Sequence, residues 1–270
     1  MKKFFITVRA EIVKQHRNWF HSRFTYFTLM IWPILLFFNA YFTYKSFDLG
    51  VAFKSYNMDS EKALMLFLVT GFIGYNCFWS MVQSAWQMKF ERENGTLETI
   101  FISPANRMAI VYGRALGALF ENIWMFTLFG VFVLMMKGSI SSSKIIYLPL
   151  VVLVILVSAT IWGGLMNVIF MFSRDASALF NIFDEPMVLF SGVRVPIQSF
   201  PYWAKVISVV FPLTHSLVVV RSIFMPIDSN SLLSATIKLL ISLSIIVFFT
   251  RILINMAEKN ARKSGELNLY

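Results

Sequence analysis

Residues 63–88 read ALMLFLVTGFIGYNCFWSMVQSAWQM and contain no Asp, Glu, Lys or Arg. A helix needs about 20 mostly apolar residues to cross a hydrocarbon layer, so this run is long enough to span one. Similar runs lie at 24–44, 109–136 and 145–172, with a shorter one at 176–193 and a last one at 234–255. Backbone polar groups in lipid must be satisfied within the chain, and runs of this length suit helices rather than barrel strands. The expected fold class is an all-α integral membrane protein. Six transmembrane helices over 24–255 follow an amphipathic interfacial helix at 1–23 and precede a cytoplasmic tail at 256–270.

Composition agrees. Hydrophobic residues make up 57% of the 270, charged residues 14%, and mean hydropathy is +0.68. A soluble domain carries roughly a quarter charged residues, and a single core of this size could not hide 29 Phe, 15 Met and 7 Trp. A disordered chain, a secreted disulfide scaffold and an ordinary cytosolic enzyme are thereby excluded. The net charge of +10 does not point to nucleic acid, because the basic residues sit beside apolar runs. The single cysteine, Cys77, permits no disulfide within the chain and reads as a small buried hydrophobe.

Lys2, Lys3, Arg9, Lys14, Arg17, Arg23, Lys89, Arg92, Arg107, Arg174, Arg251, Lys259, Arg262 and Lys263 fall on the side that holds both termini. They outnumber the cations of the opposite loops, so both termini are expected in the cytoplasm. Charge recurs through Arg9, Glu11, Lys14, Arg17 and Arg23, unlike the apolar core of a cleavable signal peptide. Met1, Phe5, Val8, Ile12 and Trp19 share one helical stripe, with Lys3, Thr7, Lys14 and Arg17 opposite. That pattern suits a helix lying in the membrane interface with its cations near headgroups, either as a plain anchor or as a collar touching a partner. Between 194 and 212, prolines at 196, 201 and 212 cut an aromatic segment into pieces too short to span. A re-entrant helical pair in the outer leaflet fits, as does an extracellular cap.

The chain has no Gly-x-x-x-x-Gly-Lys-Ser/Thr phosphate loop, no His-Glu-x-x-His and no Gly-x-Ser-x-Gly elbow. His16, His21 and His215 do not cluster in the sequence. No catalytic residue, metal ligand or cofactor of this chain is assigned. Ionisable and polar residues inside runs are functional candidates by default. Asp184 and Glu185 lie about ten residues into the fifth run, roughly 15 Å along a helix. With Glu121 and Asn122 they are the candidate substrate pathway, unless the fifth span is short and the acids stand at its wet end. Gly113 and Gly117 share a face with Glu121 and would admit a close helix. Arg114 reads as an interfacial cation able to snorkel.

The loop at 89–107 carries the clearest pattern. Asn94-Gly95 signals a turn, Ser103-Pro104 reads as the cap and first residue of the next span, and Leu97, Ile100 and Phe101 line one face of a short helix bearing Glu98. Such a helix suits a groove on a partner or a bed on the membrane.

At this loop the chain resembles the membrane-spanning subunits of the type-2 ABC exporter family, whose pattern is close to Phe-x-Arg-Glu-x-Gly-Thr-Leu-Glu, then Ser/Thr-Pro and Arg. The likeness continues at Gly113-Arg114, Ser191-Gly192, Pro196, Phe200-Pro201-Tyr202-Trp203, Phe211-Pro212-Leu213-Thr214-His215 and Arg221. The loop looks more like the drug-efflux and lipo-oligosaccharide branches than the capsule-polysaccharide branch. The resemblance implies a coupling helix between spans two and three, seated on two separate ATPase subunits that hold ATP and Mg. Contact would run through Glu91, Arg92, Glu93, Gly95, Thr96, Leu97, Glu98, Ile100, Phe101, Pro104 and Arg107. It also implies a second copy or a sister permease, in the cytoplasmic membrane. An ion-coupled transporter, or an intramembrane lipid-modifying enzyme using Glu121, Asp184 and Glu185, are the competing readings.

Overall fold

The computed structural model describes residues 2–19, 23–45, 61–96, 103–118, 122–123, 125–127, 130–131, 146–172, 176–224 and 229–264. Among these the regular structure is entirely helical. In chain order the helices are α1 (Lys2–Trp19), α2 (Arg23–Lys45), α3 (Glu61–Glu93), α4 (Arg107–Gly117), α5 (Leu148–Phe172) and α6 (Ala176–Phe190). A 3₁₀ turn at Ile197–Ser199 leads to α7 (Tyr202–Ser208), α8 (Pro212–Phe224) and α9 (Ser229–Ser264).

Among the described residues, three segments are long and apolar enough to cross a membrane: Leu64–Ala85 of α3, Leu148–Phe170 of α5 and Leu232–Met256 of α9. A fourth is possible if α7 and α8, bent by 92° at their junction, count as one broken span. Helix α3 is the hub. It lies along α5 and touches α2, α4, α6 and α8, with Phe67, Phe78 and Met81 fully buried. The facing side of α5 contributes Ile155 and Met166, and α6 and α8 add Met187 and Leu213. Helix α9 packs on α8 and α5 but leaves Leu240, Phe248 and Phe249 exposed, as a lipid-facing helix would. Cys77 is buried in the core.

Local chemistry sets the helix ends, and two ends differ from the sequence reading. Helix α3 continues to Glu93, so Glu91, Arg92 and Glu93 ride on its last turn rather than in a loop beginning at 89. The turn at Asn94-Gly95 follows, with Gly95 at φ 69°, a left-handed conformation that suits a residue without Cβ. Ser103 and Pro104 do not cap the next helix. Asn106 does, accepting the amide of Ala109 at 3.2 Å from an extended backbone (φ −70°, ψ 121°), so α4 starts at Arg107. The prolines at 196, 201 and 212 stand at element starts, where the missing amide hydrogen costs nothing.

Arg221 pins the far side of the bundle. Its side chain is 2% exposed and lies 3.6 Å over the Phe67 ring. It donates to the carbonyls of Gly192 (2.8 Å), Phe67 (3.1 Å) and Val193 (3.3 Å), and to Thr70 Oγ1 (3.3 Å). One guanidinium thereby ties α8 to α3 and to the turn after α6.

Candidate functional site

Helix α1 lies on α4, and the two glycines of α4 make that approach possible. A Cβ at Gly113 would stand 2.9 Å from Val8 Cα, and one at Gly117 would stand 2.7 Å from the Gln15 side chain. Glu11 and Gln15 are therefore buried on the α4 side of α1, while Phe5 and Ile6 stay exposed. The close approach also encloses Arg114, which is fully buried instead of snorkelling to an interface.

The buried guanidinium finds its counter-charge on the end of α3. Arg114 Nη2 lies 2.5 Å from Glu91 Oε2 and 3.6 Å from Glu11 Oε2. Lys14 Nζ approaches Glu91 Oε1 at 2.6 Å and Glu11 Oε2 at 3.1 Å. Lys14 belongs to the stripe assigned to headgroups, but its long stem reaches back to the protein. Two cations and two carboxylates thus balance where α1, α3 and α4 meet.

Burial alone would raise the Glu91 carboxyl, but Arg114 and Lys14 outweigh it and hold the group below the usual carboxylate range. A carboxyl depressed on folding adds stability above its unfolded value and loses it as pH falls through the folded one. Wild-type protein in nanodiscs is therefore expected to lose thermal stability below about pH 4.3, the ordinary glutamate value. Glu91→Gln should start less stable and show a flatter acid limb; parallel melting curves would contradict this.

Five of the candidate coupling residues lie in this cluster or follow it directly in the chain. Glu91 is in it, Arg92 and Glu93 share its helical turn, and Gly95 and Thr96 follow. The Thr96 hydroxyl donates to the Glu91 carbonyl at 3.0 Å. Pro104 is exposed, and Arg107 donates to the Ala105 carbonyl at 3.2 Å. Leu97, Glu98, Ile100 and Phe101 lie outside the described residues, as does Glu121 of the candidate pathway.

The other candidates converge elsewhere. A cleft of about 980 Å³ opens between α2, α3 and α6, and Asn122, Asp184 and Glu185 all line it. Asp184 is 5% exposed and accepts the Tyr75 hydroxyl on Oδ2 at 2.9 Å. Glu185 is exposed. Asn122 uses its amide hydrogens on Ser80 Oγ (2.5 Å) and the Ala118 carbonyl (3.2 Å), which fixes it as a wall rather than a free donor. Arg194 and Trp79 face the same space. Among the described residues, no group of three or more His, Cys, Asp or Glu side chains could hold a metal ion.

Sequence reasoning did not single out Tyr75, Arg194 or the pairing of Lys14 and Arg114 with Glu11 and Glu91. A tyrosine beside Asn76 in an apolar run was the one available hint. Arg194 and the ion cluster leave no mark in local spacing.

The model of the family described as ABC-2 type transporter matches residues 2–225. The chain belongs to the ABC-2 type transporter family. A curated relative, "Putative transport permease ycf38" of Cyanophora paradoxa, is 24% identical over 168 residues, which is 61% of this chain. The match spans 57% of that relative's length. Membership of this family, whose members sit in membranes, agrees with the three long apolar helical segments found among the described residues.

Proposed function

We propose that this chain is the membrane subunit of an ATP-driven exporter carrying an amphipathic substrate (a drug, lipid or glycolipid) out across the cytoplasmic membrane. Both termini are cytoplasmic, six helices span, and the re-entrant pair of the outer leaflet, expected over 194–212, is taken to be the bent pair α7 and α8. Two separate ABC ATPase subunits hold ATP and Mg, and a second copy or sister permease completes the path. Residues 91–107 receive the ATPase motion, and Asn122, Asp184 and Glu185, with Glu121, border the substrate.

One observation carries this reading. The ion cluster of Lys14, Glu11, Glu91 and Arg114 locks both stems of the 94–106 segment to α1. A push on that segment then moves three helices together instead of bending a loose connection. Charged side chains committed this way inside a packed junction suit force transmission better than a passive turn.

The test is co-purification. Tagged permease expressed with the candidate ATPase of the same organism should retain it stoichiometrically in detergent. Removing 95–101, or making Glu98→Arg, should lower retention at least about tenfold, the effect of roughly 1.4 kcal/mol of interface free energy. Membrane insertion should persist. Normal transport by the deletion variant, or failure of wild type to hold any candidate ATPase, would sink the reading.

A further inference from the structure

The cleft between α2, α3 and α6 contains one more piece of chemistry than a generic apolar path needs. Asp184 Oδ2 is engaged by the Tyr75 hydroxyl, but Asp184 Oδ1 is buried with no hydrogen-bond partner among the described residues. No cation comes within 4 Å of either Asp184 or Glu185 among those residues. Among the described residues the lining includes these two carboxylates and a single cation, the guanidinium of Arg194, which lies 5.9 Å from the Phe72 ring centroid. One negative charge is therefore unmatched in a space walled by Trp32 and Trp79. A buried acid with an idle oxygen is costly in lipid unless something positive meets it.

We propose that the cleft binds an ammonium-bearing amphiphile, with the ammonium seated on Asp184 Oδ1 and the apolar body against the tryptophans. This rests on the transport reading in that the cleft is taken as part of the substrate path. Tyr75 is the positioning residue: its hydrogen bond to Oδ2 holds the carboxylate so that Oδ1 remains for the ligand. An ammonium N–H to a carboxylate oxygen is a charge-assisted bond, and the indole faces supply a second favourable surface for the same cation. A cleft of about 980 Å³ accommodates a drug-sized molecule or the head and upper chain of a lipid. The ammonium thus comes either from a free amphiphilic amine or from a lipid headgroup such as ethanolamine.

The experiment compares two probes on full-length permease in phosphatidylcholine nanodiscs, with empty discs subtracted. One is a dansyl-labelled alkylamine, an ammonium at neutral pH; the other is its uncharged N-acetyl twin. Wild type is expected to bind the ammonium at least about tenfold more tightly, the scale of one charge-assisted contact. Asp184→Asn should bring that ratio to near one, and Tyr75→Phe should lower it in part. Equal binding of the twins by wild type would overturn the proposal without any variant having to fold, as would a ratio that survives Asp184→Asn. Within a positive result, displacement by added phosphatidylethanolamine assigns the lipid source, and no displacement assigns the free amphiphile. ATPase retention is read separately. Equal binding of the twins with ATPase retained ends this inference and spares the transport reading, whereas an ammonium preference without ATPase ends the transport reading and leaves the binding site standing.

Discussion

Arg114→Leu is expected to destabilise the junction of α1, α3 and α4 by about 3–5 kcal/mol, the scale on which removing one partner strands a buried charge. The substitution leaves Glu91 and Glu11 against Lys14 alone, in a place where Arg114 itself is wholly buried. Arg114 already uses only Nη2, with Nε and Nη1 buried and unpartnered among the described residues, so the site holds its cation for charge more than for hydrogen bonds. Arg114→Lys should consequently recover much of the loss. Removing the partner as well, in Arg114→Leu with Glu91→Gln, should be milder than the sum of the single changes, with a coupling of about 1–3 kcal/mol. Thermal melts of purified protein in nanodiscs read all four. A single Arg114→Leu variant melting with wild type would show that the cluster contributes nothing to stability.

The second large effect belongs to Arg221, where the chemistry inverts. Here the guanidinium is held by three backbone carbonyls, a hydroxyl and an aromatic face. Planarity and a fork of donors matter more than charge, so Lys should be a poor substitute. Arg221→Lys and Arg221→Met are both expected to cost at least about 2–3 kcal/mol, since each leaves buried carbonyls unsatisfied. Thr70→Val, which removes one acceptor, should cost about 1 kcal/mol. Limited proteolysis at 191–201 gives the readout: the turn should become cleavable in both arginine variants and stay protected in Thr70→Val. Full rescue by lysine would contradict the assignment of the fork.

These contrasting arginines mark what the sequence could and could not convey. The apolar run at 63–88 is legible because hydropathy is a local property, and α3 covers all of it. The period of Val8 and Ile12 announces α1 for the same reason. The cluster is not legible, since Lys14 and Glu91 meet only after the bundle has formed, and nothing near Glu11 distinguishes a buried acid from a solvated one. The glycines of α4 correctly suggested a close neighbour, but not that it would be α1. Asp184 and Glu185 stood out by depth, yet adjacent helical residues point about 100° apart, and only packing decides which one is enclosed. The cap at Asn106 was missed because Ser103-Pro104 carries the stronger local signature. The hydrogen bond from Ala109 overrides it.

The docking of α1 on α4 inverts the order of manufacture. A ribosome adds about 5–20 residues per second, so α1 emerges roughly 5–20 s before Gly113 and Gly117 exist to receive it, about a hundred residues later. During that interval its Val8, Glu11 and Gln15 face has no protein to meet, and the amphipathic helix has only the bilayer surface as a bed. A nascent chain arrested before residue 107 carries an unseated first helix, a ready handle for membrane quality control. The first helix to be made is seated only after the fourth has followed it.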